Sequence, residues 1–304
     1  MDYWPLFESF IIEELKAHGP DPQLQLLLEL APDVSDVEKM WLIGTYCAHH
    51  CVASAWAVYL NFRPDQVLKD PNSLLRFLER NWAALPVRQE MHSHRMLEKR
   101  WACLIDAAIY ATGKSWQNGS YEKIWNDFIE SVSFFNRYLC IKAIEMMRRT
   151  VRPDLILSDI RAQKGWSPRA MIALLYPEVA DTVGNKRNNS FETVWYAEEY
   201  ATRIRERLKL RGIELSYYQL QVLLCNSKQM IEGRVAPGSG IEAELNFIRT
   251  AEKNFTMSHV YDTRKRIYDH RYLSEVPGWQ GLQKDHWRRK VKELHDGTNA
   301  ENNL

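Results

Sequence analysis

Apolar residues recur every three or four positions along most of the chain, which is the spacing of a helix with one buried face. No run alternates cleanly between apolar and polar residues as a strand would, and proline and glycine fall mainly between the periodic segments. The pattern predicts an all-α protein. We expect helices over residues 5–17, 36–59, 71–83, 88–112, 120–130, 134–149, 154–163, 167–175, 190–211, 215–231, 241–254 and 258–275.

The most apolar stretch is "MWLIGTYCAHHCVASAWAVYL" at residues 40–60. It follows Ser35-Asp36-Val37-Glu38, which has the form of a capping box, so we start its helix at Asp36. A membrane span needs about 20 apolar residues, but two histidines stand in the middle of this stretch. We therefore expect a helix buried among other helices, and no membrane partner.

The same stretch contains a possible metal-binding face. On a helix Cys47, His50 and Cys51 would point the same way. A structural zinc site needs four ligands, and His92 and His94 would have to supply the rest. Since no CxxC pair is present, we predict no metal ligands here. Histidines in such a position are more commonly buried and hydrogen-bonded to a carbonyl group. The alternative that His49 or His50 faces a pocket is kept.

The composition and the cysteine content indicate the cellular compartment in which the protein is found. The chain has 304 residues, 45% hydrophobic and 26% charged, with a net charge of +1, as expected for one globular domain. Five cysteines without regular spacing indicate reduced thiols. The opening "MDYWPLFESFIIEEL" is acidic where a signal peptide is basic. We expect a cytoplasmic protein.

Several common catalytic sequence motifs are incomplete or missing in the chain. "ATGKSW" at 111–116 ends like a phosphate-binding loop, but Ala108 stands where the first glycine belongs. HExxH, GxSxG, GxGxxG and the PCxxC of zinc deaminases are missing from the sequence.

Charge is segregated along the chain. Residues 137–170 hold eight Lys or Arg against three acids, and residues 259–292 hold nine against four. Basic residues alternate with aromatic ones in "HVYDTRKRIYDHRYLSEVPGW", which suits phosphate contact combined with base stacking. The alternative is two helices whose cations simply face water.

The order of four segments resembles a known family. They are "WLIGTYCAHHCVASAWAVY", "RYLCIKAIEMMR", "LLCNSK" and "YDTRKRIYDHRY". This layout is similar to the phage amino acid:DNA transferases, also called alpha-glutamyl/putrescinyl thymine pyrophosphorylases. That family is related to helix-hairpin-helix DNA glycosylases. The similarity runs from about residue 36 to 279, and the chain lacks the glycosylases' L-P-G-V-G hairpin.

The resemblance implies an activity and an architecture. Such proteins act on double-stranded DNA in which 5-hydroxymethyluracil has been pyrophosphorylated, and they displace the pyrophosphate with the amine of an amino acid or polyamine. The setting would be an infected bacterial cell. We expect one glycosylase-like domain over 1–304, with lobes at 36–140 and 141–233 and a cleft between them. A helical extension at 241–296 and a disordered tail at 297–304 complete the prediction.

This chemistry assigns candidate roles. A flipped base needs aromatic stacking partners, the leaving pyrophosphate needs cations, and the incoming amine needs a general base. The stacking candidates are Tyr46, Trp101 and Trp166. The pyrophosphate-binding candidates are Arg149, Arg152, Lys228, Arg264 and Arg271, and the general-base candidates are Asp269, His49 and His50. No firm cofactor is expected, although a divalent metal could bridge the pyrophosphate.

Two other functions remain as alternatives. A DNA glycosylase or other base-excision protein would place a carboxylate or lysine near the sugar C1′. A non-catalytic helical protein would use its basic segments only to bind nucleic acid or another protein.

Overall fold

The protein is built from helices alone in the part that the computed structural model describes, which is residues 1–17, 19, 21–88, 95–132, 137–161, 165–273 and 279–301. The all-α prediction is confirmed. The α-helices, α1 to α16 in chain order, are Trp4–Ala17, Pro22–Leu30, Asp36–His49, Val52–Asn61, Pro64–Lys69, Pro71–Asn81, Leu97–Gly113, Tyr121–Ser131, Arg137–Thr150, Trp166–Leu175, Ala180–Val183, Phe191–Leu210, Tyr217–Ile231, Ser239–Ala251, Ser258–Ile267 and Trp279–Glu301.

The chain divides into two compact units, and each contains segments that are distant in sequence. Unit 1 consists of residues 1–22, 157–242 and 268–304, and unit 2 consists of residues 23–156 and 243–267. The units do not follow the predicted lobes. The expected boundary at residue 140 lies inside α9, and the expected C-terminal extension is shared between the units. The chain crosses between the units at residues 22/23, 156/157, 242/243 and 267/268 instead.

Unit 2 is organised around α3, which packs against α4, α7 and α9. Gly44 permits the closest of these approaches, because a Cβ added there would lie 2.6 Å from the Cβ of Ala107 on α7. The helix begins at a full capping box, as the sequence predicts. The Ser35 hydroxyl accepts from the Glu38 amide, and the Glu38 carboxylate accepts from the Ser35 amide.

Unit 1 has its own apolar core. Helix α13 packs against α1, α10 and α16, and α10 also packs against α11 and α12. Trp4, Phe7 and Phe10 from α1 lie in this core with Trp287 from α16.

Several predicted elements differ from the structure. Residues 154–161 are not helical, because burial alternates there: Leu155 and Leu157 are buried while Ile156 is exposed. That alternation is the signature of an extended segment. The helix predicted over 258–275 ends at Ile267. Residues 88–94 and 134–136 also fall in predicted helices, but 89–94, with His92 and His94, and 134–136 lie outside the described residues.

The C-terminal region is more helical than expected. Helix α16 continues to Glu301, past the start of the predicted disordered tail at residue 297, and residues 302–304 lie outside the described part. Residues 22–30 and 64–69 were not assigned to helices by their pattern, and both are helical.

Candidate active site

The long apolar stretch is two helices with a break at His50. His50 has φ 49° and ψ 35°, a left-handed conformation, and its amide closes α3 on the Tyr46 carbonyl at 2.5 Å. Cys51 is extended, and α4 starts at Val52. The single helix predicted over 36–59 is wrong, because a left-handed residue ends an α-helix. Few residues other than glycine adopt this conformation.

The break places the His50 side chain against a lysine from another helix. Lys142 is on α9, and its Nζ lies 3.3 Å from His50 Nε2. Lys142 is 0% exposed and His50 is 1% exposed. A lysine ammonium has only protons to donate. An ammonium group at Lys142 would donate to Nε2 and so place the imidazole proton on Nδ1.

Aromatic rings enclose this pair. The rings of Tyr46 and Tyr138 meet His50 edge to face, with centroid distances of 5.6 and 5.5 Å. Lys142 Nζ lies 4.8 Å from the ring centroid of Tyr46 and 5.9 Å from that of Tyr138. Electron-rich ring faces stabilise a cation removed from water. The buried amine therefore sits in an aromatic cage.

Tyr46 has a different role in this cage from the one predicted. It is fully buried, and its hydroxyl donates to Gln23 Oε1 at 2.9 Å. Its ring contacts Lys142 and His50. Tyr46 thus holds the pair in place, and it does not present a free face on which a base could stack.

His49 points elsewhere. Its Nδ1 lies 2.8 Å from the Thr45 carbonyl, one turn back on α3. A carbonyl only accepts, so Nδ1 donates. The His49 carbonyl accepts from the Arg88 amide at 3.3 Å. Of the two adjacent histidines, His50 is the one beside a cation.

A buried pair of opposite charges also lies in unit 2. Arg264 Nε lies 2.7 Å from Glu244 Oε1, with side-chain exposures of 6% and 1%. Removing charges from water is unfavourable unless they are paired and hydrogen-bonded. Arg264 was predicted to bind pyrophosphate, and here it neutralises Glu244.

Arg100 is a buried cation that the sequence reasoning missed. Its Nη1 donates to the Leu85 carbonyl at 2.9 Å, and the guanidinium lies 3.9 Å from the Trp82 ring centroid. Burial lowers its pKa to about 9. Burial also raises the pKa of the nearby Cys51 thiol to about 11. Arg100 holds the segment after Leu85 against α7.

Of the two other arginine candidates in unit 2, Arg149 lies at the surface, whereas the Arg152 side chain is only 12% exposed. Arg149 is exposed, and its Nη2 donates to Gln25 Oε1 at 2.9 Å. Arg152 forms two bonds to Asp154, at 2.7 and 2.6 Å, and donates to the carbonyls of Trp116 and Gly119. Hydrogen bonding to Asp154 raises the Arg152 pKa. Arg152 ties two turns together, whereas Arg149 is held by an uncharged amide.

Trp101, a stacking candidate, is half-buried on α7. Its Nε1 donates to the Pro71 carbonyl at 2.8 Å, where α6 begins. This hydrogen bond joins α7 to the start of α6, so the Trp101 indole helps to pack the two helices together.

The remaining candidates lie in unit 1. Trp166 is half-buried at the first position of α10. Lys228 pairs with Glu232 at 2.6 Å, one turn along α13, and burial lowers the pKa of Lys228. Trp166 and Lys228 therefore belong to a different compact unit from His50 and Lys142.

Asp269 is bound by Arg271 in a short loop. Arg271 Nη2 and Nε lie 2.7 and 3.0 Å from Asp269 Oδ2. Hydrogen bonds from the Arg271 side chain and amide lower the Asp269 pKa to about 2. So acidic a group accepts a proton poorly at neutral pH.

Unit 1 contains a buried carboxyl group that the sequence pattern did not reveal. Glu14 on α1 accepts from the Gly238 amide at 3.0 Å and from Asn226 Nδ2 at 3.2 Å. Burial raises its pKa to about 8. The nearby Asp21 accepts from the Tyr218 hydroxyl at 2.5 Å. Residues 236–238 are buried, and Glu14 holds Gly238 by a hydrogen bond. The composition of the surrounding stretch, 235–240, is that of a linker.

Neither a metal site nor a membrane span emerges from the described residues. They contain no group of three or more His, Cys, Asp or Glu side chains placed to hold a metal ion. None of their helices combines the length and the apolar character needed to cross a membrane. Comparison with protein-family models gives no match, and comparisons with curated proteins and with solved structures give none.

Proposed function

We propose that the protein modifies DNA by transferring an amine to a pyrimidine base. The substrate is 5-hydroxymethyluracil whose hydroxyl carries pyrophosphate, and the donor is an amino acid or a polyamine. Two features support this proposal. One is the order of segments that resembles the amino acid:DNA transferases, and the other is the buried pairing of His50 with Lys142.

The reaction needs the two functions that this pair supplies. The nitrogen lone pair of the donor forms a bond to the 5-methylene carbon, and the carbon–oxygen bond to pyrophosphate breaks. Pyrophosphate leaves with the electron pair, and the new secondary ammonium group loses one proton to become the neutral amine. The Lys142 ammonium is suited to the negative charge that grows on the leaving oxygen. His50 Nε2 is suited to take the proton.

The contact between the two residues links these roles. In the resting protein His50 Nε2 accepts from Lys142, so it is not available to another proton donor. When an anion draws Lys142 away, Nε2 becomes free. Both side chains are buried, which strengthens electrostatic effects at the site. Substrate entry therefore requires movement of the side chains around the cage.

A divalent cation that bridges the pyrophosphate would fit this scheme as a co-substrate ion. Reactions are accordingly run with magnesium and with a chelator. The expected location is the cytoplasm of an infected bacterial cell, where the modified DNA is made.

One observation also favours a second function, base excision. A buried lysine amine next to a histidine could act as a nucleophile on the sugar C1′, with the histidine as the base that activates it. In that case Lys142 would form the new bond and the base would leave. The two functions give different products, since a transferase leaves the strand intact and enlarges the base.

The deciding experiment mixes purified protein with duplex DNA carrying pyrophosphorylated 5-hydroxymethyluracil and a pool of amino acids and polyamines. The DNA is then digested to nucleosides for mass spectrometry. We expect a nucleoside whose mass exceeds that of the 5-hydroxymethyluracil nucleoside by one donor less one water, and this difference also names the donor. Released base with abasic sites would replace this proposal by base excision. Unchanged DNA with every donor would overturn both.

A further inference from the structure

The start of α12 carries an unusual surface. Phe191 and Trp195 are large apolar residues one turn apart, and they are 86% and 52% exposed. Residues four apart on a helix lie on the same side. Large aromatic side chains left in water on neighbouring turns indicate a binding surface.

The loop before α12 adds positive charge to this surface. Lys186 and Arg187 are exposed, and Ser190 caps the helix by accepting from the Thr193 amide at 3.2 Å. The first amides of a helix carry partial positive charge. The loop and the helix end together favour an anion.

A buried cation lies beneath the same loop. Arg169 on α10 is 1% exposed, and its Nη1 donates to the Asn188 carbonyl at 2.5 Å. Its Nε has no hydrogen-bond partner among the described residues. A guanidinium that is buried without a full set of partners is unfavourable by itself. Arg169 therefore adds positive charge behind the loop that contains Asn188.

We infer that the loop at 184–190 and the first turn of α12 bind single-stranded nucleic acid. Phe191 and Trp195 stack on unpaired bases, and Lys186, Arg187 and the helix end hold a phosphate. Stacking accepts any base, so this surface is not sequence-specific. Glu192 is exposed beside the aromatic residues and opposes a polyanion. That opposition argues for one or two phosphates rather than a long charged track.

This inference goes beyond the proposed transferase, and its test needs no modified base. Fluorescence anisotropy measures binding of labelled oligothymidine and of a duplex of equal length. We expect the single strand to bind more tightly than the duplex. The double variant Phe191→Ala with Trp195→Ala should lose about tenfold or more in affinity. Leu210→Ala is the matched control, because Leu210 is 88% exposed at the other end of α12.

Salt dependence tests the charged half of the surface. Lys186→Ala with Arg187→Ala should lower the slope of log affinity against log salt by about 1.4, as expected for two lost contacts to a single strand. The inference fails if wild-type protein does not bind the single strand at low salt. It also fails if the aromatic double variant binds like Leu210→Ala. Lys142→Met should bind normally, so loss of transfer and loss of binding are separate results.

Discussion

Single buried polar residues set much of this protein's expected behaviour. Glu14 illustrates the point, because its carboxyl group is buried and its pKa is raised to about 8 from an ordinary value of 4.5. Between these two values the folded state holds a proton that the unfolded state has lost. Stability therefore falls as the pH rises through this window, and it levels off above about pH 8.

Glu14→Gln should remove this dependence. The difference in unfolding free energy between variant and wild type should grow in favour of the variant from pH 5 to pH 8, by at most about 4 kcal/mol at 1.4 kcal/mol per pKa unit. Chemical denaturation across this range measures it. Glu206→Gln, an exposed change on α12, is the control. Parallel curves for wild type and Glu14→Gln would show that Glu14 is ionised in the folded protein.

The buried pair of Arg264 and Glu244 has its own test. Arg264→Met leaves a carboxylate buried without its cation, so we expect a loss of about 3–5 kcal/mol in unfolding free energy. Arg266→Met is a matched control on the same helix, since Arg266 pairs with Glu29 at the surface. We expect it to lose about 1 kcal/mol or less. Equal losses in the two variants would contradict the burial of the Arg264 pair.

At the scale of elements, close packing of α3 on α7 depends on Gly44. Gly44→Ala should destabilise by about 1–3 kcal/mol because the added Cβ meets Ala107. Helix propensity alone predicts the opposite sign, since alanine favours a helix. Thermal unfolding of Gly44→Ala and of the control Gly113→Ala, which meets nothing within 4 Å, separates the two effects. A gain in stability for Gly44→Ala would mean that the helices are further apart.

The helices show what a sequence pattern can and cannot predict. The capping box at Ser35 is local, and it correctly gives the start of α3. The break at His50 escapes a hydropathy pattern, because the residues on both sides are equally apolar. The extended segment at 155–160 alternates over too few residues to stand out. Helix starts with a local signature are predictable, whereas breaks imposed by packing are not.

The candidate site was less predictable than the fold. Tyr46 and His50 could be proposed from one apolar stretch, since both lie in it. Lys142 is 92 positions from His50, and no periodicity reports a contact at that distance. Arg152, Lys228, Arg264 and Arg271 looked free in a sequence, but each is paired with a carboxylate. Ion pairs depend on the folded neighbours of a residue.

At the scale of the whole molecule, the thiols report on folding. Cys47, Cys51, Cys103 and Cys140 are fully buried, and Cys225 is half-buried. Burial raises the pKa of each of the four, and a thiol reacts as its thiolate. We expect at most one thiol to react with Ellman's reagent in the native protein, and all five in concentrated guanidinium chloride. Rapid reaction of two or more native thiols would show that the interior of unit 2 opens readily.

The proposed amine transfer to DNA depends on the buried pair of His50 and Lys142. The most direct measurement is the rate of modified-nucleoside formation by Lys142→Met, compared with wild type and with Lys123→Met. Lys123 is an exposed lysine paired with Asp127, so its variant controls for loss of a lysine. We predict a rate about 100-fold or more lower for Lys142→Met, an unchanged rate for Lys123→Met, and a native circular dichroism spectrum for both. A folded Lys142→Met variant that transfers the amine at the wild-type rate would contradict the account.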